Sequence, residues 1–216
     1  MKTLAQSFLT PEEQQQITRC VQQAEKQTSG EIVPMVVSAS HDYPMAAVTG
    51  AIFIALPFSL LAARLIGSYF WLTPDKMWLF LACFILFYLL TYQLVQRVSW
   101  LKRAFISEQS IEEEVREAAT IAFFTENLYR TKDQNGILIF ISVFEHRIWV
   151  LGDKGINEKI DPEQWQEIVD IVTGGIRNHR PCEAICEAIN RTAEILREFF
   201  PLEADDRDEL HNLIIK

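Results

Sequence analysis

Two uninterrupted apolar stretches, residues 46–66 and 77–96, break a chain whose apolar and polar positions otherwise repeat at helix or strand spacing. Each is about the ~20 residues that an α-helix needs to cross the hydrocarbon core of a bilayer. The first holds one charge, Arg64, close enough to its end to snorkel to the headgroups; the second holds none. Gly50 and Pro57 in the first are better tolerated in a membrane helix than in a soluble one. Tyr43, Tyr69, Trp71, Trp78 and Trp100 fall near the expected boundaries, where amphipathic rings settle. A chain of 216 residues has too little protein to wrap two such helices in a soluble core. The pattern therefore predicts a transmembrane hairpin over residues 46–97.

The flanks carry the periodicities of a small α/β domain. Thr10-Pro11-Glu12-Glu13 has the form of a capping box with proline at the first helical position, and Ile17, Val21 and Ala24 mark one apolar face behind it. Thr28-Ser29-Gly30 ends that helix. Residues 31–38, EIVPMVVS, read as a strand, with Pro34 suited to an edge or a bulge. After the hairpin, Ile111, Val115, Ala118, Ala119, Ala122 and Phe123 recur at helical spacing. Residues 136–143 form the near-continuous apolar run of a buried central strand, and residues 144–146 a tight connection into a second strand, 147–151. A loop over 152–157 follows. Asp161-Pro162-Glu163-Gln164 opens a helix bearing Trp165, Ile168, Val169, Val172 and Ile176, with Gly174 and Gly175 ending it or packing closely. Pro181 starts a last helix with Ile185, Ala188, Ile189 and Leu196 inward, stopped at Phe200-Pro201. An acidic tail from Glu203 is expected to be loosely held.

A lone strand at 31–38 makes no viable sheet. It is expected to pair with the later strands, so that residues 1–45 and 98–200 form one split α/β domain. Residues 46–97 are then an inserted hairpin and 201–216 a tail.

Charge narrows the setting. Residues 46–97 carry three basic and one acidic side chain, so the rest of a chain of net charge −9 carries −11. That excludes general nucleic-acid binding, which draws its affinity from neutralised phosphates. Arg97, Lys102 and Arg103 follow the second run, while Lys76 beside Asp75 stands in the connection. The positive-inside rule places both termini in the cytoplasm and the connection outside. No secretory signal is visible at the N-terminus. Of the four cysteines, Cys83 lies in a span, and Cys20, Cys182 and Cys186 read as buried thiols of a reducing compartment.

Three segments together, Thr28-Ser29-Gly30-Glu31-Ile32-Val33-Pro34, Gln134-Asn135-Gly136-Ile137-Leu138-Ile139 and Trp149-Val150-Leu151-Gly152-Asp153-Lys154-Gly155-Ile156-Asn157, resemble the core signatures of the TPM domain family. Phe199-Phe200-Pro201, with Asp205-Asp206 and Asp208-Glu209-Leu210, resembles the end of a bacterial subgroup in which a membrane hairpin splits that domain. The resemblance implies an α/β sandwich with a mixed sheet, calcium binding in some members, and acid phosphatase activity credited to a plant thylakoid member. It also implies partnership with LemA-type membrane proteins.

The strand ends offer candidate chemistry. Glu31 starts one strand, Asp133 and Asn135 precede the next, and Asp153 and Asn157 follow the third. If these ends converge, Glu31, Asp133, Asn135 and Asp153 supply hard oxygen ligands for calcium or magnesium. Asn, Asp and Gly are also ordinary turn residues, which accounts for the same pattern without a ligand. A divalent-metal-dependent, phosphatase-like hydrolase would need cationic clamps as well, and Arg147, His146 and Lys154 stand near Asp153 in sequence. No phosphatase motif or Walker-type loop is present, and His146 reads as an exposed turn residue. A pore would require an oligomer and an ionisable group in the second span, which has none. The leading expectation is a membrane-anchored binding or scaffolding module. Its partners would be the lipid bilayer, a protein and a second copy of the chain, with no nucleic acid.

Overall fold

In a computed structural model, residues 3–69, 77–202 and 210–216 are described. Trp71, Asp75 and Lys76 of the predicted connection, and Glu203 to Glu209 of the tail, lie outside the described residues. The chain divides into two compact units, Met1–His41 with Glu112–Lys216, and Asp42–Ile111.

The first unit starts with α1 (Leu4–Phe8) and α2 (Pro11–Ala24), both opened by capping boxes, on Thr3 with Gln6 and on Thr10 with Glu13. Each box satisfies backbone donors that the first helical turn leaves without partners. Strand β1 (Glu31–Val37) follows, and the chain leaves for the second unit, which holds α3 (Pro44–Tyr69), α4 (Met77–Arg97) and α5 (Ser99–Arg103). Helix α6 (Glu108–Thr125) leads back. A 3-10 turn at Leu128–Arg130, β2 (Gly136–Ser142), β3 (Arg147–Gly152), α7 (Lys154–Asn157), α8 (Pro162–Arg177), α9 (Pro181–Phe199) and β4 (Ile214–Ile215) complete the fold.

The sheet order is β3-β2-β1-β4, with β2 antiparallel to β3 and both β2 and β4 parallel to β1. This is a mixed sheet, as the family resemblance implies. All seven residues of β2 are buried, which its unbroken apolar run requires of a central strand. Ile137, Ile139 and Ile141 share a core with Ile32 and Val36 of β1, Ile17 and Val21 of α2, Ile168 and Val172 of α8, and Ile185, Ile189 and Leu196 of α9. The alternate residue Phe140 faces the other way and lines a cavity with Val37 and with Ala118, Ile121 and Ala122 of α6. Helices therefore cover both faces of the sheet.

Pro34 is not at the sheet's edge strand, because β1 has a neighbour on each side. Strand β4 reaches only Met35 and Val36, so Pro34 sits just beyond the covered part of that side. The tail is not loose throughout: Lys216 donates its backbone N–H to Val36 O and accepts from Ser38 N. The cysteine expectation is also corrected. Cys20 of α2 and Cys186 of α9 form a disulfide, 166 residues apart in sequence, while Cys182 and Cys83 are free and buried. Nothing in the local spacing of these cysteines encodes a pairing between helices at opposite ends of the chain.

The second unit inverts the usual layering of a soluble helix pair. Along α3 a row of small residues four apart, Ala47, Ala51, Ala55, Ser59, Ala63 and Gly67, is buried. Large residues such as Phe53, Phe58 and Leu61, and on α4 Ile85, Leu86, Leu89 and Leu90, are exposed. Small side chains let helix backbones approach closely where the solvent is itself apolar. Thr91 Oγ1 donates across the pair to Ala51 O at 3.2 Å, and Phe58 meets Phe87 with ring centroids 6.2 Å apart. Both helices are long and apolar enough to cross a membrane.

Candidate functional site

Strand β3 is an edge strand, and its hydrogen-bonding pattern can be read from its register. Asp153 N donates to Gly136 O at 2.9 Å, in line with the pairs Leu138↔Leu151, Phe140↔Trp149 and Ser142↔Arg147. Antiparallel pairs alternate between bonded and non-bonded rungs. Leu151, Trp149 and Arg147 therefore aim their backbone groups at β2, and Ile148, Val150 and Gly152 aim theirs outward. The outward carbonyl of Gly152 is taken by Asn157 Nδ2 at 2.7 Å. Ile148 and Val150 present theirs to a groove of about 520 Å³ along the edge. Its walls are Glu112 and Val115 of α6 on one side and Trp165, Gln166 and Val169 of α8 on the other, with Arg147 and Trp149 along the strand. Two half-buried tryptophans beside open strand backbone are what an added strand needs: backbone bonds for affinity and pockets for side chains.

At the other end of the sheet's central strands, Glu31, Asn135 and Asp153 occupy neighbouring backbone positions. Glu31 pairs with Gly136 in the sheet, its N–H is bonded to Asn135 O at 3.2 Å, and Asp153 N is bonded to Gly136 O. The three thus lie within one residue of a single rung. Glu31 and Asn135 are buried, 5% and 4% exposed. Asn135 Oδ1 and Asp153 Oδ2 are buried oxygens without a hydrogen-bond partner. The Asp133 side chain does not join them; it is exposed on the turn before β2. Among the described residues, no group of three or more His, Cys, Asp or Glu is gathered for a metal ion. An ion here would need the Asn135 amide oxygen and backbone carbonyls beside the carboxylates. The donors are hard oxygens, the type that calcium and magnesium take.

Residues 102–195 match the TPM domain family. Over that stretch the chain is a TPM domain. The NMR structure of the BA42 protein from the psychrophilic bacterium Bizionia argentinensis is similar over 96% of this chain and 94% of that one, with a TM-score of 0.57 and 22% sequence identity. That likeness shows a shared fold. No curated protein matches the chain.

Within the TPM domain, the signature segments meet physically. Thr28 Oγ1 donates to Phe200 O at 2.6 Å, Ser29 N donates to the same carbonyl, and Thr28 bridges Pro201. Asn135 Nδ2 donates to Ser29 O. Gly136 allows the chain to pass under Leu128, whose carbonyl oxygen would lie 2.3 Å from a Cβ at that position. Part of the signature is thus structural, and Asp153 shares that role, its Oδ1 accepting from Lys154 N as the N-cap of α7. The loop expected over residues 152–157 is in fact this short helix behind its cap.

One buried acid escapes a reading of the sequence. Glu145, in the turn between β2 and β3, is fully buried. Its Oε1 accepts from Ser40 N at 2.9 Å and His41 N at 3.4 Å, and its Oε2 is bonded by Ser142 Oγ. It fastens the TPM domain to the last residues before the inserted unit. A charged residue in a tight turn ordinarily reads as solvated, so only the placement of residues 40–41 reveals it. His146 beside it is exposed, with the left-handed φ of 51° that the turn demands.

Proposed function

We propose that the chain is a membrane-anchored binding module whose TPM domain takes up an extended segment of a partner protein along the edge of β3. The observation that carries this reading is the open backbone of Ile148 and Val150 in a groove walled by Trp149 and Trp165. The two apolar helices would cross the cytoplasmic membrane as a hairpin. Arg97, Lys102 and Arg103 favour both termini and the TPM domain on the cytoplasmic side. LemA-type membrane proteins, which the family resemblance implies as partners, are candidate donors of the segment.

A photo-crosslinking residue in place of Gln166, on the rim of the groove, tests the proposal in native membranes. The expected result is one defined heteromeric adduct that disappears in Val150→Pro. Proline removes the outward N–H of an edge strand, a position that tolerates it, and replaces a side chain that is only partly buried against the core. Unchanged melting of Val150→Pro would show that the domain stays folded. An adduct that persists in that variant, or recovery of the monomer alone, would overturn the reading.

A second reading is favoured by Asn135 Oδ1 and Asp153 Oδ2, buried oxygens without partners at the strand ends. A divalent cation, calcium or magnesium, would be held there by Asp153, Asn135 and Glu31. The ion would supply positive charge among these acceptors. No hydrolytic step is assigned to this ion.

A further inference from the structure

We propose that Cys20 and Cys186 are a reversible thiol–disulfide site, opened by glutathione and closed by glutathione disulfide. The inference rests on the cytoplasmic placement of the TPM domain. Disulfides in that compartment are as a rule transient or redox-sensing, since its glutathione pool reduces accessible ones.

The two cysteines differ in exposure. Cys20 on α2 is half-buried, whereas Cys186 on α9 is 8% exposed. A glutathione thiolate therefore attacks Sγ of Cys20. The S–S bond breaks, Cys186 leaves as a thiolate, and it takes a proton from solvent. A second glutathione thiolate attacks the glutathione sulfur of the mixed disulfide, releasing Cys20 as a thiol and forming glutathione disulfide. Two electrons pass from two glutathiones to the protein, and the reverse sequence closes the bond.

Both forms keep the same core. Helix α2 packs through Ile17, Val21 and Ala24 into the cluster that holds Ile185, Ile189 and Leu196 of α9, and none of these contacts needs the bond. The third cysteine of the region stays out of the exchange. Cys182 lies one helical turn before Cys186, is 5% exposed, and directs its thiol to Glu13 O at 3.7 Å. Burial first, then Glu13 and Glu183, push its thiol above the ordinary range, so the nucleophilic thiolate is scarce. The oxidised form ties the segment before the inserted hairpin covalently to the segment after it. Opening leaves the two segments joined by packing alone.

The test uses the full chain in polymer-bounded native nanodiscs, where both faces meet the buffer. After incubation in reduced or oxidised glutathione, the protein is quenched, denatured and labelled with a mass-tagged maleimide. The expected count rises from two, on Cys83 and Cys182, to four as the buffer goes from oxidised to reduced. Cys182→Ser lowers both counts by one and keeps the transition, and Cys20→Ser abolishes it. A count fixed at two in excess reduced glutathione means a permanent brace and overturns the proposal. A count of four in oxidised glutathione, or a transition that survives Cys20→Ser, overturns it too. Orientation is read separately, by labelling Ser68→Cys on intact cells with an impermeant maleimide. Absence of that label would overturn the cytoplasmic placement, with the nanodisc titration still deciding the chemistry.

Discussion

Gly174 and Gly175 are neighbours near the end of α8, yet alanine at the two positions should move stability in opposite directions. A Cβ at Gly174 would meet nothing within 4 Å. Alanine there recovers the helix propensity that glycine forfeits, up to about 1 kcal/mol. A Cβ at Gly175 would lie 2.0 Å from Ala184 Cβ on α9 and 3.2 Å from Arg180 O. Carbon atoms in contact prefer about 3.5–4.0 Å, so α9 would have to retreat by roughly 1.5–2 Å. Overpacking of this kind costs about 1–3 kcal/mol, which offsets the propensity gain and leaves a net loss of up to about 2 kcal/mol. In a chain of this size 1 kcal/mol shifts the melting temperature by about 2–4 °C. Thermal unfolding of the full chain in detergent, followed by circular dichroism, should therefore show Gly174→Ala melting higher and Gly175→Ala lower than the parent. Shifts of the same sign would refute the argument that close approach of α8 and α9 is what requires glycine at 175.

Glu145→Ala removes the acceptor for Ser40 N and His41 N. Hydrogen bonds to a charged group are worth about 1.5–3 kcal/mol, so amide exchange at these two residues should quicken by at least about tenfold. Glu145→Gln, which keeps a carbonyl oxygen there, should retain most of the protection; equal exchange in both variants would show that the acceptor is not what orders the segment. Millimolar calcium should raise the melting temperature of the parent if the strand-end oxygens hold the ion, since a ligand at 100 times its Kd adds about 2.7 kcal/mol. Asp153→Asn should lose that response while keeping a competent cap for α7. No calcium shift in the parent removes the ion reading.

The parts of this fold governed by local rules were legible in the sequence. Capping boxes at Thr10 and Asp161 form where the residue spacing puts them. The apolar run after Asn135 is the buried central strand, and the mixed sheet between helices is the one the family resemblance implies. What escaped depends on contacts distant in sequence. The partner of Cys20 lies 166 residues away, β4 exists only because the tail returns to β1, and Glu145 is buried only because residues 40–41 cross its turn. Strand order escaped as well, so the open edge of β3 could not be read from its own residues. Asn157, which shares a loop with Asp153 in the sequence, turns out to cap that edge. At the strand ends, the spacing of Glu31, Asn135 and Asp153 said nothing of geometry; the sheet register brings them to one rung and leaves the Asp133 side chain aside.

The parallel pairing of β1 with β2 has a consequence for how the protein is made. Glu31 must find Gly136, and both apolar helices are synthesised between them. At ribosomal speeds of roughly 5–20 residues per second, β1 waits on the order of 5–20 s for its partner. The hairpin has left the ribosome by then. If the hairpin enters a membrane as proposed, anchoring would precede folding, and the sheet would be assembled from a strand already tethered.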